Sequence, residues 1–210
     1  MRRSLLPPRF GPFRRRFRYT GRKAAFGGAA ILIMLLLLLA DRAGVFGRGK
    51  SGDWETYQAR QFKVVHVVDG DTLDIDVPDG RHDSTRIRML GLDTPETVHP
   101  NKPVQYFGKE ASDYLKGVAA GKTVTVQLDR VRMRDDYGRL LAYVLLDGAN
   151  LNERMIAEGY GYADPRFPHP LKSRFHARMI EARKAGRGLW AGVKEEELPY
   201  YLQRQPAERP

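Results

Sequence analysis

Five short strand-like segments, with one helical segment between the third and the fourth, constrain the fold of this chain most strongly. The strand-like segments are rich in β-branched residues or alternate apolar and polar side chains, as half-buried strands do. Turn sequences such as Val77-Pro-Asp-Gly80 separate them. The segment 104–119 differs, because its apolar residues recur at helical spacing and Gly121 follows it. Strands are predicted at 61–68, 73–77, 85–92, 122–129 and 140–146.

Two further helices are predicted after the last strand, over 149–158 and 171–185. In the second of these, Leu171, Phe175 and Met179 fall on one face. The order of elements predicts an α+β fold, mainly β, in which a five-stranded barrel carries three helices on its outside. Small barrels of this kind include the OB-fold, whose face commonly holds oligonucleotides.

Composition excludes several kinds of site. The chain has 210 residues, enough for one domain with appendages, and it contains no cysteine, which excludes disulfides and thiolate sites. Its five histidines include no close pair of the kind that binds zinc. The sequence therefore disfavours a zinc site built from cysteine or histidine.

The net charge of +11 is concentrated at the N-terminus. Residues 1–23 hold nine Lys and Arg and no acid, whereas the remaining residues hold 27 basic against 25 acidic side chains. Domains that bind nucleic acid by charge alone usually carry a basic excess themselves. The near balance after residue 23 disfavours a purely electrostatic binder and favours a local site of mixed charge.

An uncharged apolar run covers residues 24–40 and follows the basic segment 1–23. Seventeen helical residues span about 26 Å, at the short end of what crosses a bilayer. A cleaved signal peptide and a retained anchor both have this layout, and a buried soluble helix is a third reading. The length of the run and the poor cleavage sequence Ala40-Asp-Arg-Ala43 favour a retained transmembrane anchor.

The positive flank is expected to stay in the cytoplasm, so the rest of the chain is predicted to face the periplasm or the exterior. Cleavage after the apolar run would release the rest of the chain as a secreted protein. The Gly-rich segment 41–60 is predicted to be a linker, and 61–193 the folded domain. Residues 194–210 are predicted to be a charged, proline-containing tail with little to fold around.

Acids and arginines cluster where the predicted strands end. Pro95 stiffens the turn that contains Asp93 and Glu96, because it restricts its own backbone and that of the preceding residue. The strand just before this turn delivers Arg88 to the same place. Val67-Val-Asp-Gly-Asp-Thr72 adds two more carboxylates beside a glycine. This set of residue types is the one that phosphodiester chemistry would need.

From about Phe62 to Gly192 the chain resembles the thermonuclease family, typified by staphylococcal nuclease. A lone Asp-Gly-Asp-Thr sequence would be weak evidence, since it also makes a good hairpin turn, but several motifs match jointly and in order. They are Asp69-Gly-Asp-Thr72, Arg88 followed by Asp93-Thr-Pro-Glu-Thr97, His99-Pro100, Gly108-Lys-Glu-Ala-Ser112, Asp136-Tyr-Gly-Arg-Leu140 with Ala142-Tyr143, and Gly188-Leu-Trp190.

The resemblance implies an OB-fold barrel that binds calcium and hydrolyses phosphodiester bonds of DNA or RNA, with single strands preferred. Asp71 and Asp93 match the two carboxylate ligands of the metal, and the backbone carbonyl of Thr94 matches a third ligand. Calcium is a hard cation that takes several oxygen ligands, so these groups suit it. Taken alone, Asp71 could equally be an ordinary turn acid.

The resemblance also assigns the groups that act on the phosphate. Arg88 and Arg139 match two arginines whose planar guanidinium groups fit phosphate oxygens. Glu96 matches the general base, which would draw a proton from the attacking water. Considered singly, Arg139 could be a surface ion-pair residue and Glu96 an acid that stabilises the turn after Pro95.

Four more residues match positions that surround the chemical groups. Asp69 and Asp135 match acids that orient the ligands or the arginines, and Tyr137 matches a tyrosine near the substrate phosphate. Lys102 matches a lysine in the loop between Pro95 and the first predicted helix. Tyr137 and Lys102 could instead be solvated loop residues.

The chain departs from the family pattern in two places. Asp136 stands where the family has a lysine, which removes a positive charge near the substrate. The type member of the family has two tyrosines that stack on bases, and in the region 160–167 of this chain only Phe167 aligns with an aromatic residue there. Tyr160 and Tyr162 either replace the stacking tyrosines or pack in the core.

Three functional hypotheses follow. The first is a membrane-anchored, calcium-dependent endonuclease that acts outside the cytoplasm, which the complete set of acids and arginines favours. The second is a non-catalytic module that binds nucleic acid or protein on a nuclease-like barrel. The third is an envelope protein in which the barrel is only a scaffold.

Overall fold

The computed structural model describes residues 34–37, 52–97 and 104–203. The chain divides into two units, Met1–Phe46 and Gly47–Pro210. In the first unit the described residues, 34–37, are helical. The basic segment 1–23, most of the predicted anchor 24–40 and residues 41–51 of the predicted linker lie outside the described residues. The rest of the predicted linker is part of the folded domain instead, because Asp53–Tyr57 form a helix and the side chain of Tyr57 is buried in the core. Within the described ranges, no helix is long and apolar enough to cross a bilayer.

Five strands of the second unit close into a barrel, as predicted. The strands are β1 Arg60–Val67, β2 Thr72–Ile75, β3 Thr85–Met89, β5 Thr123–Leu128 and β6 Leu140–Leu146. Neighbouring strands are antiparallel, in the order β3-β2-β1-β5-β6, and a parallel pairing between β3 and β6 closes the sheet, with Ile87 opposite Leu140. A barrel has no exposed sheet edge once it is closed in this way.

The three predicted helices are present, and several short elements accompany them. The short strands are β4 Leu92–Asp93, which pairs with β8 Tyr162–Ala163, and β7 Ala149–Asn150, which pairs with the end of β6. The helices are α1 Asp53–Tyr57, α2 Gly108–Ala119, α3 Leu151–Ala157, α4 Lys172–Lys184 and α5 Tyr200–Gln203, with 3₁₀ turns at Gly188–Ala191 and Glu195–Glu197.

One continuous hydrophobic core joins the barrel to the helices outside it. Strand β5 alternates buried and more exposed residues, whereas the first five residues of β6 are all buried. Helices α3 and α4 pack against each other, and α3 contacts β6, so this part of the barrel is covered on both faces. This explains why the fifth segment has a continuous apolar sequence rather than an alternating one.

The side chain of Asn152 ties helix α3 to the barrel. Asn152 is fully buried; its Oδ1 accepts from the Val144 N–H, and its Nδ2 donates to the carbonyl oxygens of Leu90 and Ala142. These three backbone groups lie on β6 and on the turn that leads into Asp93. A polar side chain in the core therefore fixes the position from which strand β4 starts.

The C-terminal segment differs from the predicted tail. Residues 194–203 fold onto the domain as a 3₁₀ turn followed by α5, and Leu198 and Leu202 are buried in the core. The four-residue spacing of the two leucines is the sequence signal that the tail prediction left unused. Residues 204–210 lie outside the described part of the chain.

Candidate active site

A cleft of about 470 Å³ brings together nine of the ten predicted site residues. The tenth, Lys102, lies outside the described residues. The cleft is lined by Asp69, Asp71, Arg88, Asp93, Thr94, Glu96, Asp135, Tyr137 and Arg139 from the predicted set, and by Pro95, Asp136, Arg166 and Phe167.

Strand pairing places Asp71 beside Arg88. Thr72 lies opposite Arg88 in the antiparallel pair β2–β3, so Asp71, at the entrance to β2, is its neighbour. The turn before Asp71 approaches Thr94 so closely that a Cβ on Gly70 would lie 2.7 Å from the Thr94 hydroxyl oxygen. Glycine at position 70 therefore permits the contact between the two motifs.

Arg88 is buried between two carboxylates. Its Nη1 lies 2.7 Å from Oδ2 of Asp71 and donates to the Leu92 carbonyl, and its Nη2 donates to Oδ1 of Asp93 at 2.8 Å. Only 9% of the Arg88 side chain is exposed. A guanidinium with this many acceptors is held rigidly at the floor of the cleft.

Burial destabilises the ionised forms of Asp71 and Asp93, and the positive charge of Arg88 offsets this effect only in part. Burial raises the pKa of Asp71 to about 6, although the charge of Arg88 and a hydrogen bond from the Thr94 N–H act in the opposite direction. Burial also raises the pKa of Asp93, against the effect of Arg88, and the charge of Asp71 adds to the rise. A further cation beside these carboxylates would stabilise their ionised forms.

The donor set suits a hard cation such as calcium. Asp71, Asp93 and Thr94 all line the same cleft and offer oxygen ligands. Among the residues that the structure describes, no group of three His, Cys, Asp or Glu side chains is arranged to hold a metal. The predicted set has only two such side chains, because its third ligand is a backbone carbonyl, so the remaining ligands would come from water and substrate.

Hydrogen bonds with Gln105 and Thr97 hold Glu96 in place. Its N–H donates to Oε1 of Gln105 at 2.8 Å, its carbonyl accepts from the Gln105 N–H, and its Oε1 accepts from the Thr97 N–H. The start of α2 packs closely here, since a Cβ on Gly108 would lie 2.9 Å from the Pro95 carbonyl oxygen. The predicted general base is therefore anchored to the segment that leads into α2.

Asp135 fixes Arg139, as the sequence predicted for an acid that orients an arginine. Its Oδ1 accepts from the N–H groups of Tyr137 and Arg139, and its Oδ2 accepts from Nε of Arg139 at 2.7 Å. The Arg139 guanidinium carbon lies 5.5 Å from the centre of the Tyr137 ring, which is 86% exposed. Tyr137 therefore presents its ring to solvent at the rim of the cleft.

Asp69 and Asp136 make local contacts. Oδ1 of Asp69 accepts from the Asp71 N–H at 3.1 Å, so Asp69 shapes the turn that carries Asp71. Asp136 pairs with Arg132. The residue that replaces the family lysine thus lines the cleft with its charge offset by an arginine four positions earlier.

Two aromatic residues of the region 160–167 pack against other rings of the domain, and one lines the cleft. Tyr160 stacks on Tyr114 with ring centres 4.0 Å apart, and Tyr162 is buried against Trp190. Of the region's aromatics, Phe167 lines the cleft. Both tyrosines therefore have packing roles, which leaves Phe167 as the aromatic ring that this region contributes to the cleft.

The structure adds two contacts to Asp93 that sequence reasoning missed. Nη2 of Arg166 lies 2.9 Å from Oδ1 of Asp93, and the hydroxyl of Tyr201 donates to Oδ2 at 2.6 Å. Arg166 follows β8, the strand that pairs with the strand containing Asp93, so its place was in principle deducible from the pairing. Tyr201 is 108 residues from Asp93 and belongs to the segment predicted as a tail.

Comparison with known proteins gives consistent matches. The family model described as staphylococcal nuclease homologue matches residues 86–192. The thermonuclease of Staphylococcus hyicus is 36% identical over 163 residues, which cover 77% of this chain and 92% of that protein. The thermonuclease of Staphylococcus intermedius is 34% identical over 163 residues, 78% of this chain and 92% of that protein.

Endonuclease YncB of Bacillus subtilis is 38% identical over 108 residues, covering 49% of this chain and 50% of that protein. The barrel with its outer helices and the motifs around the cleft agree with these matches. The chain belongs to the staphylococcal nuclease family.

Proposed function

We propose that this chain is a nuclease that hydrolyses phosphodiester bonds of DNA or RNA with calcium as its cofactor. The observation that carries the proposal is the cleft in which the Asp71–Arg88–Asp93 cluster meets Glu96 and Arg139. The thermonuclease and endonuclease names of the relatives support the same reaction. Asp71, Asp93 and the Thr94 carbonyl would hold the calcium ion, which when bound supplies a fixed positive charge beside the phosphate.

The protein's own groups have distinct tasks in this reaction. Glu96 accepts a proton from water, whose oxygen attacks the phosphorus while the bond to a sugar oxygen breaks, and the departing sugar oxygen takes up a proton from solvent. Negative charge on the phosphate oxygens grows during the attack. Arg88 and Arg139 stabilise that charge with guanidinium groups already held in place, Arg88 by two carboxylates and Arg139 by Asp135.

The proposal is tested on the full-length chain in detergent with single-stranded DNA, first with calcium and then with excess chelator. Cleavage is expected only with calcium. Glu96→Gln is expected to lower kcat by at least about 100-fold with little change in DNA affinity, because its task lies in the attack. The matched control Glu110→Gln alters an exposed acid in the first turn of α2 and should leave activity unchanged.

The arginines are tested by Arg139→Lys, which keeps the charge but removes the fork that fits two oxygens. Arg81→Lys, at an exposed position, is the matched control. DNA binding without cleavage by the folded wild-type chain would reject the nuclease and favour the non-catalytic binding module instead.

We also propose that residues 24–40 anchor the protein in a membrane with the nuclease domain outside the cytoplasm. The apolar run and its basic flank support this arrangement. Protease added to spheroplasts, from which any outer membrane has been removed, should digest the domain, and the N-terminal sequence of the recovered protein should begin before residue 24. Protection of the domain in spheroplasts would reject the orientation.

A further inference from the structure

The segment that carries Tyr201 lies beyond the region matched by the family model, which ends at residue 192. It is nevertheless firmly attached to the domain. Leu198 and Leu202 are buried, and Nε2 of Gln203 donates to the Leu198 carbonyl at 2.7 Å. The Lys194 N–H donates to the Glu197 carboxylate and so closes the first turn of the segment. Tyr201 therefore has one defined position at the cleft.

Tyr201 and Arg166 hold the two oxygens of the same carboxylate. The Tyr201 hydroxyl donates to Oδ2 of Asp93 at 2.6 Å, and Arg166 lies 2.9 Å from Oδ1. Hydrogen bonds from neutral or charged donors to a carboxylate are short and strong, as these are. Together with Arg88 they occupy both sides of the Asp93 carboxylate, so it cannot rotate without breaking a bond.

The two holding residues also fix each other. Arg166 donates from Nε and Nη2 to the two oxygens of Asp164, a buried acid, at 2.8 Å each. Its guanidinium carbon lies 5.1 Å from the centre of the Tyr201 ring, within the range of a cation–π contact. Asp93 itself sits in the two-residue strand β4, which pairs with β8 at only two positions.

We propose that Tyr201 and Arg166 are positioning residues that set the affinity of the site for calcium by fixing the Asp93 carboxylate. The inference rests on the proposed function, in which Asp93 is a calcium ligand. Partners that orient a metal ligand typically change metal affinity by about 10–100-fold when they are removed. The C-terminal segment therefore contributes to calcium binding through Tyr201.

The test measures calcium binding directly, by isothermal titration calorimetry of the full-length chain in detergent without nucleic acid. Tyr201→Phe removes the hydroxyl but keeps the ring against Arg166. We expect its Kd for calcium to rise about tenfold or more. Tyr200→Phe removes the hydroxyl of the adjacent tyrosine, which is 60% exposed, and should bind calcium as the wild type does.

Two further readouts separate positioning from a general structural effect. Tyr201→Phe should reach the wild-type kcat at saturating calcium, because its loss lies in affinity rather than in the attack. Arg166→Lys keeps the positive charge but loses the fork, so it should also weaken calcium binding, whereas a charge effect alone would leave binding unchanged. The Arg166→Lys variant also keeps the inference testable if Tyr201→Phe does not fold.

The outcomes distinguish this inference from the proposed function. Equal or tighter calcium binding by Tyr201→Phe and Arg166→Lys, with a wild type that binds calcium, would overturn the positioning role and leave the nuclease intact. A folded wild type that binds no calcium would overturn the calcium site, and this inference with it.

Discussion

Oδ2 of Asp71 accepts hydrogen bonds from both the N–H and the hydroxyl of Thr94, at 3.0 and 3.2 Å. The two residues are 23 positions apart. This contact joins the turn before β2 to the turn that contains Pro95, and it brings the two predicted calcium-binding motifs together. It also buries the Asp71 carboxylate, which has a measurable effect on stability.

Asp71→Asn is expected to gain stability relative to the wild type as the pH rises from 4 to 8 in the presence of chelator. Burial raises the pKa of Asp71 to about 6 in the folded protein, above the 3.8 of a free aspartate side chain, so the folded state binds this proton more tightly than the unfolded state. The wild type therefore gains stability from Asp71 as the pH falls from 6 towards 4, and loses that gain above pH 6. The variant also lacks the buried ion pair with Arg88, which lowers its stability, so the test is how the stability difference changes with pH.

The measurement is urea unfolding at several pH values. Asp83→Asn, at an exposed position, removes the same charge from the surface and serves as the control. A stability difference for Asp71→Asn that stays constant between pH 4 and pH 8 would contradict the assignment of a raised pKa.

Asp135→Asn is expected to lower kcat by about 10–100-fold while leaving the melting temperature within a few degrees. The amide can still accept from the turn, but the charged acceptor that holds Nε of Arg139 is lost, and bonds to charged groups contribute about 1.5–3 kcal/mol. Asp147→Asn, at an exposed position that does not line the cleft, is the matched control. Similar kinetics for the two variants would show that Asp135 does not position Arg139.

Asn152→Leu is expected to destabilise the domain by about 3 kcal/mol, because it leaves buried backbone groups without their side-chain partner. Asn150→Ala provides the comparison, since it removes only the N-cap bond of α3 and should cost about 1 kcal/mol. Denaturant unfolding of both variants measures the difference. Equal losses would mean that Asn152 contributes no more than a helix cap.

The fragment 52–203 is expected to be more stable than the fragment 54–193 by several kcal/mol. The shorter fragment lacks Asp53, whose buried carboxylate forms a two-bond ion pair with Arg134, and it lacks the buried Leu198 and Leu202. Breaking a buried ion pair alone costs about 3–5 kcal/mol. Urea midpoints of the two fragments give the result, and equal midpoints would show that the two ends do not contribute to the core.

The barrel could be predicted because its signals are local. The alternation in β5, the continuous apolar run of β6 and the helical spacing in α2 each depend on residues within one segment. The order of motifs then predicted a shared site, and the structure places Asp71, Arg88 and Glu96 in one cleft. Lys102 stays a prediction, as do the roles of the residues that the cleft brings together.

The sequence by itself determined the five strands and the three main helices, because periodicity acts over short distances along the chain. The acids and arginines of the site were predicted from the family resemblance. Only the tertiary structure decided which distant residues meet: Asp53 with Arg134, and Tyr201 with Asp93. These pairs are 81 and 108 residues apart. Such contacts depend on how the segments that contain Asp53 and Tyr201 pack against the rest of the domain. No local sequence pattern encodes the partner of a buried carboxylate.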